Sequence, residues 1–199
     1  TVLSVIAGLG APSRGTVRLQ GRNITFTTAE QRSGMGVQML PGGRGVFPSM
    51  SVRENLEMGS YLLRGDRALQ HERIERVLED LPALVDRLDH PAGVLSGGQQ
   101  QQVALARVLM HEPEVLIIDE LSLGLAPTIV AELLDVLARI KEQRGQSMII
   151  VEQSLDVALR IADRAVFMEK GAVRFEGPAS ELAERDDLAR AVFLGTEGG

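Results

Sequence analysis

The sequence contains no cysteine and no tryptophan. Without cysteine there is no disulfide, no thiolate nucleophile and no cysteine-ligated zinc. The fold must therefore rest on an apolar core, and the chain suits a reducing compartment. At 199 residues it is long enough to bury about 70% of its unfolded surface. That length suggests one domain with room for a smaller subdomain. Aromatic residues are scarce, with one Tyr and five Phe, and 27 acidic residues outnumber 21 basic ones for a net charge of −6. Both the basic footprint and the stacking platforms that nucleic acid requires are missing, so no nucleic-acid partner is expected. No apolar run approaches the roughly 20 residues that span a bilayer, and no signal peptide is visible. If a membrane matters, a partner connects the chain to it.

Histidine is also sparse. His71, His90 and His111 lack ligand spacing and are expected at the surface. The seven methionines suit core or interface filling better than a cofactor box. No internal repeat is present.

The remaining pattern is one of short apolar runs alternating with helical periodicity. Residues 1–9 read as a short helix with Val2, Leu3, Ile6 and Leu9 on or near one face. "TVRLQGRNIT" alternates like a strand entering a hairpin at Gly21, and "GVQML" (Gly36–Leu40) reads as a strand. Ser51 and Glu54 fit a capping box for a helix over "VRENLEMGSYLL", and "ALQHERIERVLEDL" carries Leu69, Ile74, Val77, Leu78 and Leu81 at helical spacing. Further on, "QQQVALARVLMH" predicts a helix, "EVLIID" a strand, "TIVAELLDVLARIKEQR" a helix, "SMIIV" a strand and "LDVALRIAD" a helix. A hairpin about Lys170 and Gly171 and two short helices finish the chain. Such alternation predicts an α/β fold, a mostly parallel sheet flanked by helices. The helical stretch 51–92 interrupts it and is expected as an inserted subdomain.

Two segments carry chemistry. "VLIIDE" (Val115–Glu120) is an apolar run ending in two adjacent acids. Open parallel sheets bind ligands beyond the carboxyl ends of their strands, where Asp119 and Glu120 would lie. There an Asp can hold a hydrated Mg²⁺ and a Glu can orient an attacking water. Alone, the segment reads equally well as a strand ending in solvated acids. "LSGGQ" (Leu95–Gln99) places a Ser-Gly-Gly turn before a helix. Free N–H groups at a helix start favour an anion, and glycines let phosphate oxygens approach the backbone. Ser-Gly-Gly alone is an ordinary turn; followed by one helix and then "LIIDE", it is highly specific.

In these residues the sequence resembles the nucleotide-binding subunits of ATP-binding cassette (ABC) transporters, with "LSGGQ" as signature motif and "VLIIDE" as Walker B. "GRGVFPSMSVRENLEMG", "LSLGLAP" and "IIVEQSLDVALRIADRAVFMEKG" further resemble the branched-chain amino acid uptake subfamily. The resemblance implies a P-loop NTPase-like fold with an N-terminal β-hairpin region and the helical subdomain at 51–92. It also implies ATP and Mg²⁺ as cofactors. Asp119 would bind the metal, and Glu120 and Gln153 would be catalytic, Gln153 near the γ-phosphate where many relatives carry a switch His. By itself Gln153 reads as solvated surface. Ser96, Gly97, Gly98 and Gln99 would close over a partner subunit's ATP. Ser122, Leu123, Gly124 and Leu125 would form the D-loop, packed on the opposite subunit. Partners implied are a second ABC ATPase subunit, two membrane permeases and, through them, a periplasmic or lipid-anchored substrate-binding protein. The location implied is peripheral, at the cytoplasmic face of the inner membrane. Phe47 and Met50 stand where the permease would dock, or else pack within the domain.

Three departures from the family pattern stand out. Gly42 occupies the position of the usual Gln or Glu after the strand, while Gln38, four residues earlier, is expected to point from the strand. Leu121 follows the acidic pair where the family has Pro. The phosphate loop G-x-x-x-x-G-K-[ST] is absent, and "TVLSVIAGL" resembles the helix that follows it. A fragment boundary inside that motif is the expectation, since evolved loss would leave a degraded loop in place. The function expected is the ATP-hydrolysing subunit of an importer of branched-chain or related amino acids. Alternatives are a non-transport ABC ATPase (an assembly or translation factor) or a chain inactive as it stands.

Overall fold

The computed structural model describes residues 2–43, 45–61 and 65–184. A parallel sheet of β3 (Val37–Leu40), β4 (Val115–Asp119) and β5 (Ser147–Val151) runs in the order β3-β4-β5. Val37 pairs with Val115, and Asp119 with Val151. The central strand is the most apolar because both its faces are covered. Leu116, Ile117 and Ile118 are all fully buried, and successive side chains go to opposite faces. Ile117 meets Leu3 of α1 (Val2–Ile6), Ala7 and Val37. Leu116 and Ile118 join the larger core with α5 (Gly97–Leu109) and α6 (Pro127–Arg144). Helices thus flank the sheet, and the loops that follow its strands share one end.

Two antiparallel hairpins stand apart from this sheet: β1 (Arg18–Leu19) with β2 (Arg22–Asn23), and β6 (Arg164–Glu169) with β7 (Ala172–Pro178). Both turn where the sequence predicts, at Gln20-Gly21 and Lys170-Gly171, all with positive φ as tight hairpin turns demand.

Between β3 and α5, α3 (Val52–Gly59) and α4 (Arg67–Asp80) are followed by a 3-10 turn at Pro82–Arg87. The Ser51–Glu54 capping box forms reciprocally, and its hydrogen bonds hold the exposed Glu54 carboxyl below the usual range. The ends of this segment are stitched together. Val52 donates to the His90 carbonyl, Arg53 N–H to Leu88, and Ala92 to Met50.

Several expectations are corrected. The first helix buries Leu3, but Val2 and Leu9 are exposed, since a helix of five residues has one contact stripe. α3 ends at Gly59, short of the Leu62 and Leu63 expected in it, which lie outside the described residues. α7 (Leu155–Leu159) is only half the predicted run. Of the two terminal helices, α8 (Ala179–Ala183) forms and the second falls outside the described residues. His111 is half-buried beside Arg107 and Arg73, and burial first, then those charges, push its pKa down.

One helix escaped prediction: α2 (Ala29–Gly34), capped by the Thr28–Gln31 box. It presents Arg32, which has no exposed surface. The guanidinium donates to the carbonyls of Val5, Ile6, Ile24 and Thr25 and to Thr27 Oγ1, at 2.5–3.0 Å. Arg32 therefore ties the carbonyl end of α1 to the segment after β2.

Candidate nucleotide site

Asp119 and Glu120 stand at the carboxyl end of β4, half-buried, with β3 and β5 on either side. Glu120 leaves the strand with φ +49°, a left-handed conformation that costs a non-glycine residue energy and clusters at functional sites. Three contacts from the end of β5 hold this corner. Glu120 N–H donates to the Val151 carbonyl at 2.9 Å. Gln153 Nε2 donates to Glu120 Oε1 at 2.6 Å. Glu152 accepts from both the Ser122 N–H (2.9 Å) and the Ser122 hydroxyl (2.6 Å).

Gln153 is exposed, but its amide is bonded to Glu120 rather than left free in solvent. Glu152 is the residue of this corner that no sequence motif flags. Its only signal is its place between Val151 and Gln153.

Gly42 also reaches this corner. A Cβ built there would lie 3.3 Å from the Asp119 carbonyl oxygen and 3.9 Å from Glu120 Cβ. The loop after β3 therefore touches the acidic pair with backbone alone. Gln38 turns away, donating to Ser33 Oγ. Leu121, in place of the family's Pro, is 1% exposed and packs into the main core, which explains an apolar residue immediately after two acids.

The Ser-Gly-Gly segment differs from a turn preceding a helix: Gly97 and Gly98 themselves form the first helical residues of α5. Ser96 is the N-cap, accepting from Gln99 N–H, while the Gln99 side chain accepts from Ser96 N–H. The glycines then divide. Gly98 is buried, and a Cβ there would fall 2.6 Å from Ile129 Cγ2 on α6. Gly97 is exposed, its nearest neighbour Leu125 at 3.9 Å. Gly98 thus lets α5 pack closely on α6, while Gly97 lies at the surface. The segment Ser122–Leu125 turns at Gly124 (φ +71°) and exposes Leu123.

The loop leading from the acidic corner toward α3 is held by two residues the sequence did not flag. Asn55, fully buried, bonds Phe47 N–H and the Phe47 and Ser51 carbonyls. Arg107 of α5 donates to the Gly45 carbonyl and lies 4.4 Å over the Phe47 ring; burial lowers its pKa. Phe47 is thus packed on one side and exposed on the other.

Among the described residues no group of three or more potential ligands could cage a metal. Mg²⁺ keeps several waters and takes one or two carboxylates plus substrate phosphates. Asp119 offers such a carboxylate at an accessible strand end. A separate polar cleft of about 770 Å³ lies at the opposite end of the sheet, around Glu112, Glu114 and Ser147. Its Arg76 and Arg144 are ion-paired with Glu112 and Asp80, and it is remote from the acidic corner.

Residues 1–122 match the family model described as ABC transporter. The chain belongs to the ABC transporter ATP-binding family. Such a subunit binds ATP with Mg²⁺ and hydrolyses it to drive transport, working with membrane permeases. This ABC ATPase chain is 34% identical over 195 residues to BraG, a high-affinity branched-chain amino acid transport ATP-binding protein of Pseudomonas aeruginosa. The match covers 98% of the chain and 82% of BraG. It is 33% identical to the thiamine import ATP-binding protein ThiQ of Salmonella choleraesuis, covering 97% of the chain and 80% of ThiQ. The fold matches the ADP conformation of MJ1267, an ATP-binding cassette of an ABC transporter, with a TM-score of 0.85 at 24% identity, over 98% of the chain and 82% of MJ1267. It also matches cbiO1 of Clostridium perfringens, part of the transporter complex cbiONQ, with a TM-score of 0.83 at 25% identity, over 97% and 77%. No described helix is long and apolar enough to cross a membrane.

Proposed function

We propose that the chain energises an importer of branched-chain or related amino acids, as one of two ATPase subunits beneath two permeases fed by a substrate-binding protein. The similarity to BraG over nearly the whole chain carries this reading, and the "VEQ" at Val151–Gln153 accords with it. The site would lie at the cytoplasmic face of the inner membrane. Segment 51–92 would be the helical subdomain of the ATPase domain 1–199, with Phe47 and Met50 facing a permease.

The corner's chemistry follows from its residues. Asp119 would hold the Mg²⁺, which supplies charge neutralisation on the phosphates. Glu120 orients and polarises the attacking water. Gln153 fixes the Glu120 carboxylate and reaches the γ-phosphate region. Ser96, Gly97, Gly98 and Gln99 of the signature segment would meet the partner subunit's ATP, with Ser96 and Gln99 also capping α5. The segment Ser122–Leu125 contacts the partner. Residues 1–199 contain no G-x-x-x-x-G-K-[ST] loop.

A cell lacking this subunit tests the substrate. Uptake of labelled leucine should fall and that of thiamine persist; the reverse pattern assigns the chain to a different importer. Purification without any permease would favour a non-transport ATPase.

A further inference from the structure

At the acidic corner, Val151, Glu152 and Gln153 address Glu120 and Ser122 in strict alternation. The Val151 carbonyl takes the Glu120 N–H, the Glu152 carboxylate takes both Ser122 donors, and the Gln153 amide binds the Glu120 carboxylate. Two of these contacts act directly on Glu120. The third acts two residues downstream, just past Leu121, which the core immobilises. Glu120 sits between these fixed points in a left-handed conformation that persists only when its surroundings over-determine it.

We propose that Glu152 is a positioning residue: its two-pronged hold on Ser122 sets the backbone at Glu120 and makes that corner move with the end of β5. The proposal rests on the ATPase reading for its catalytic consequence, but not for the clamp itself. The Glu152 carboxylate takes its hydrogen bonds from Ser122, so it acts through Ser122. Both oxygens are engaged by neutral donors, so the contact requires acceptor geometry rather than charge. The segment beginning at Ser122 is also the one that would meet the partner subunit. A disturbance there would reach Glu120 and Gln153 through one rigid unit.

Amide exchange and turnover test this together. Glu152→Ala removes both acceptors. Glu152→Gln keeps one oxygen for the Ser122 N–H and gives an amide to a rotated hydroxyl. In the chain itself, amides of residues 122–125 should exchange faster in Glu152→Ala and near the parent rate in Glu152→Gln. In the assembled ATPase, Glu152→Ala should lower kcat about ten- to a hundredfold, as small misplacements of a catalytic group do. ATP affinity should stay near the parent value, and Glu152→Gln should recover most of the turnover. Unaltered exchange in Glu152→Ala overturns the clamp. Faster exchange with unaltered kcat, or a loss of ATP affinity as large as the loss of kcat, overturns the positioning role. If the parent assembly itself hydrolyses no ATP, the functional reading fails while the exchange arm still decides the clamp.

Discussion

Gln153 donates its side-chain amide to the carboxylate of Glu120 across 2.6 Å, joining the end of one parallel strand to the end of its neighbour. The bond occupies one carboxylate oxygen and leaves the other for a water. An amide suits this task because it donates at every physiological pH, whereas an imidazole titrates.

Glu120→Gln should therefore lower ATP hydrolysis in the assembled enzyme by about 10²–10⁴-fold, the usual worth of a positioned general base. Nucleotide binding should persist, because the amide still fits against Gln153. Gln153→Ala should give a smaller loss in kcat. Single-turnover kinetics beside equilibrium ATP binding measures both; parent-level turnover in Glu120→Gln would assign the base elsewhere.

The two signature glycines should respond oppositely to alanine. At Gly98 the new methyl would sit 2.6 Å from Ile129 Cγ2. That group is attached directly to a β-branched Cβ and cannot swing aside. Such overpacking costs about 1–3 kcal/mol. Gly97→Ala has room and should leave stability level or slightly raised. Urea unfolding checks both, and Ile129→Ala should restore much of what Gly98→Ala loses.

Much of this was legible in the sequence because it follows from periodicity and turn chemistry. The alternation of apolar runs and helices gave the parallel sheet, and the Lys170-Gly171 turn gave its hairpin. The acidic pair fell at a strand end because four apolar residues preceded it. Long-range polar contacts were not legible. Asn55 acts on a partner 8 positions away, Arg32 on one 27 away, Glu152 on one 30 away and Arg107 on one 62 away, and no local pattern announces them. The Thr28–Gln31 box could have revealed α2, since it has the same form as Ser51–Glu54. The dual role of the glycines was hidden because Ile129 lies on another helix.

Arg32 should prove structural. Its guanidinium is fully buried and bonded to carbonyls of two separate segments. Arg32→Met removes every guanidinium donor. The Val5 and Ile24 carbonyls keep the N–H groups of Gly8 and Thr27, those of Ile6 and Thr25 lose their partner, and each orphaned buried acceptor costs about 1–3 kcal/mol. A net destabilisation of about 2–4 kcal/mol is expected after water reaches some of them. Thermal melts check this, and amide exchange should show α1 loosening first.

His111 should make stability depend on pH. Burial, Arg107 and Arg73 together depress its pKa in the fold from the ordinary 6.5. The unfolded chain then binds the proton more readily, so stability rises with pH across the interval below 6.5. The stabilisation is complete above that value and is lost as pH falls through the folded pKa. His111→Gln should flatten this slope in urea unfolding measured from neutral to mildly acidic pH; an unchanged slope would assign it to other groups.

The sharpest test of the signature segment is Gly97→Asp. Gly97 is exposed, and a Cβ there meets nothing closer than Leu125 at 3.9 Å. A carboxylate in the first turn of α5 also complements the helix dipole. Fold stability should therefore hold or rise slightly. If partner ATP docks at this helix start, the added negative charge stands where phosphate oxygens must approach. ATP-driven dimerisation of the assembled enzyme should fail while nucleotide binding by each subunit persists. If Ser96–Gln99 serves only as a helix cap, dimerisation should be untouched, because Ser96 and Gln99 still cap each other. Size-exclusion profiles with and without ATP, read beside thermal melts, separate the two: a stable variant that no longer dimerises supports the nucleotide role, and one that dimerises normally removes it.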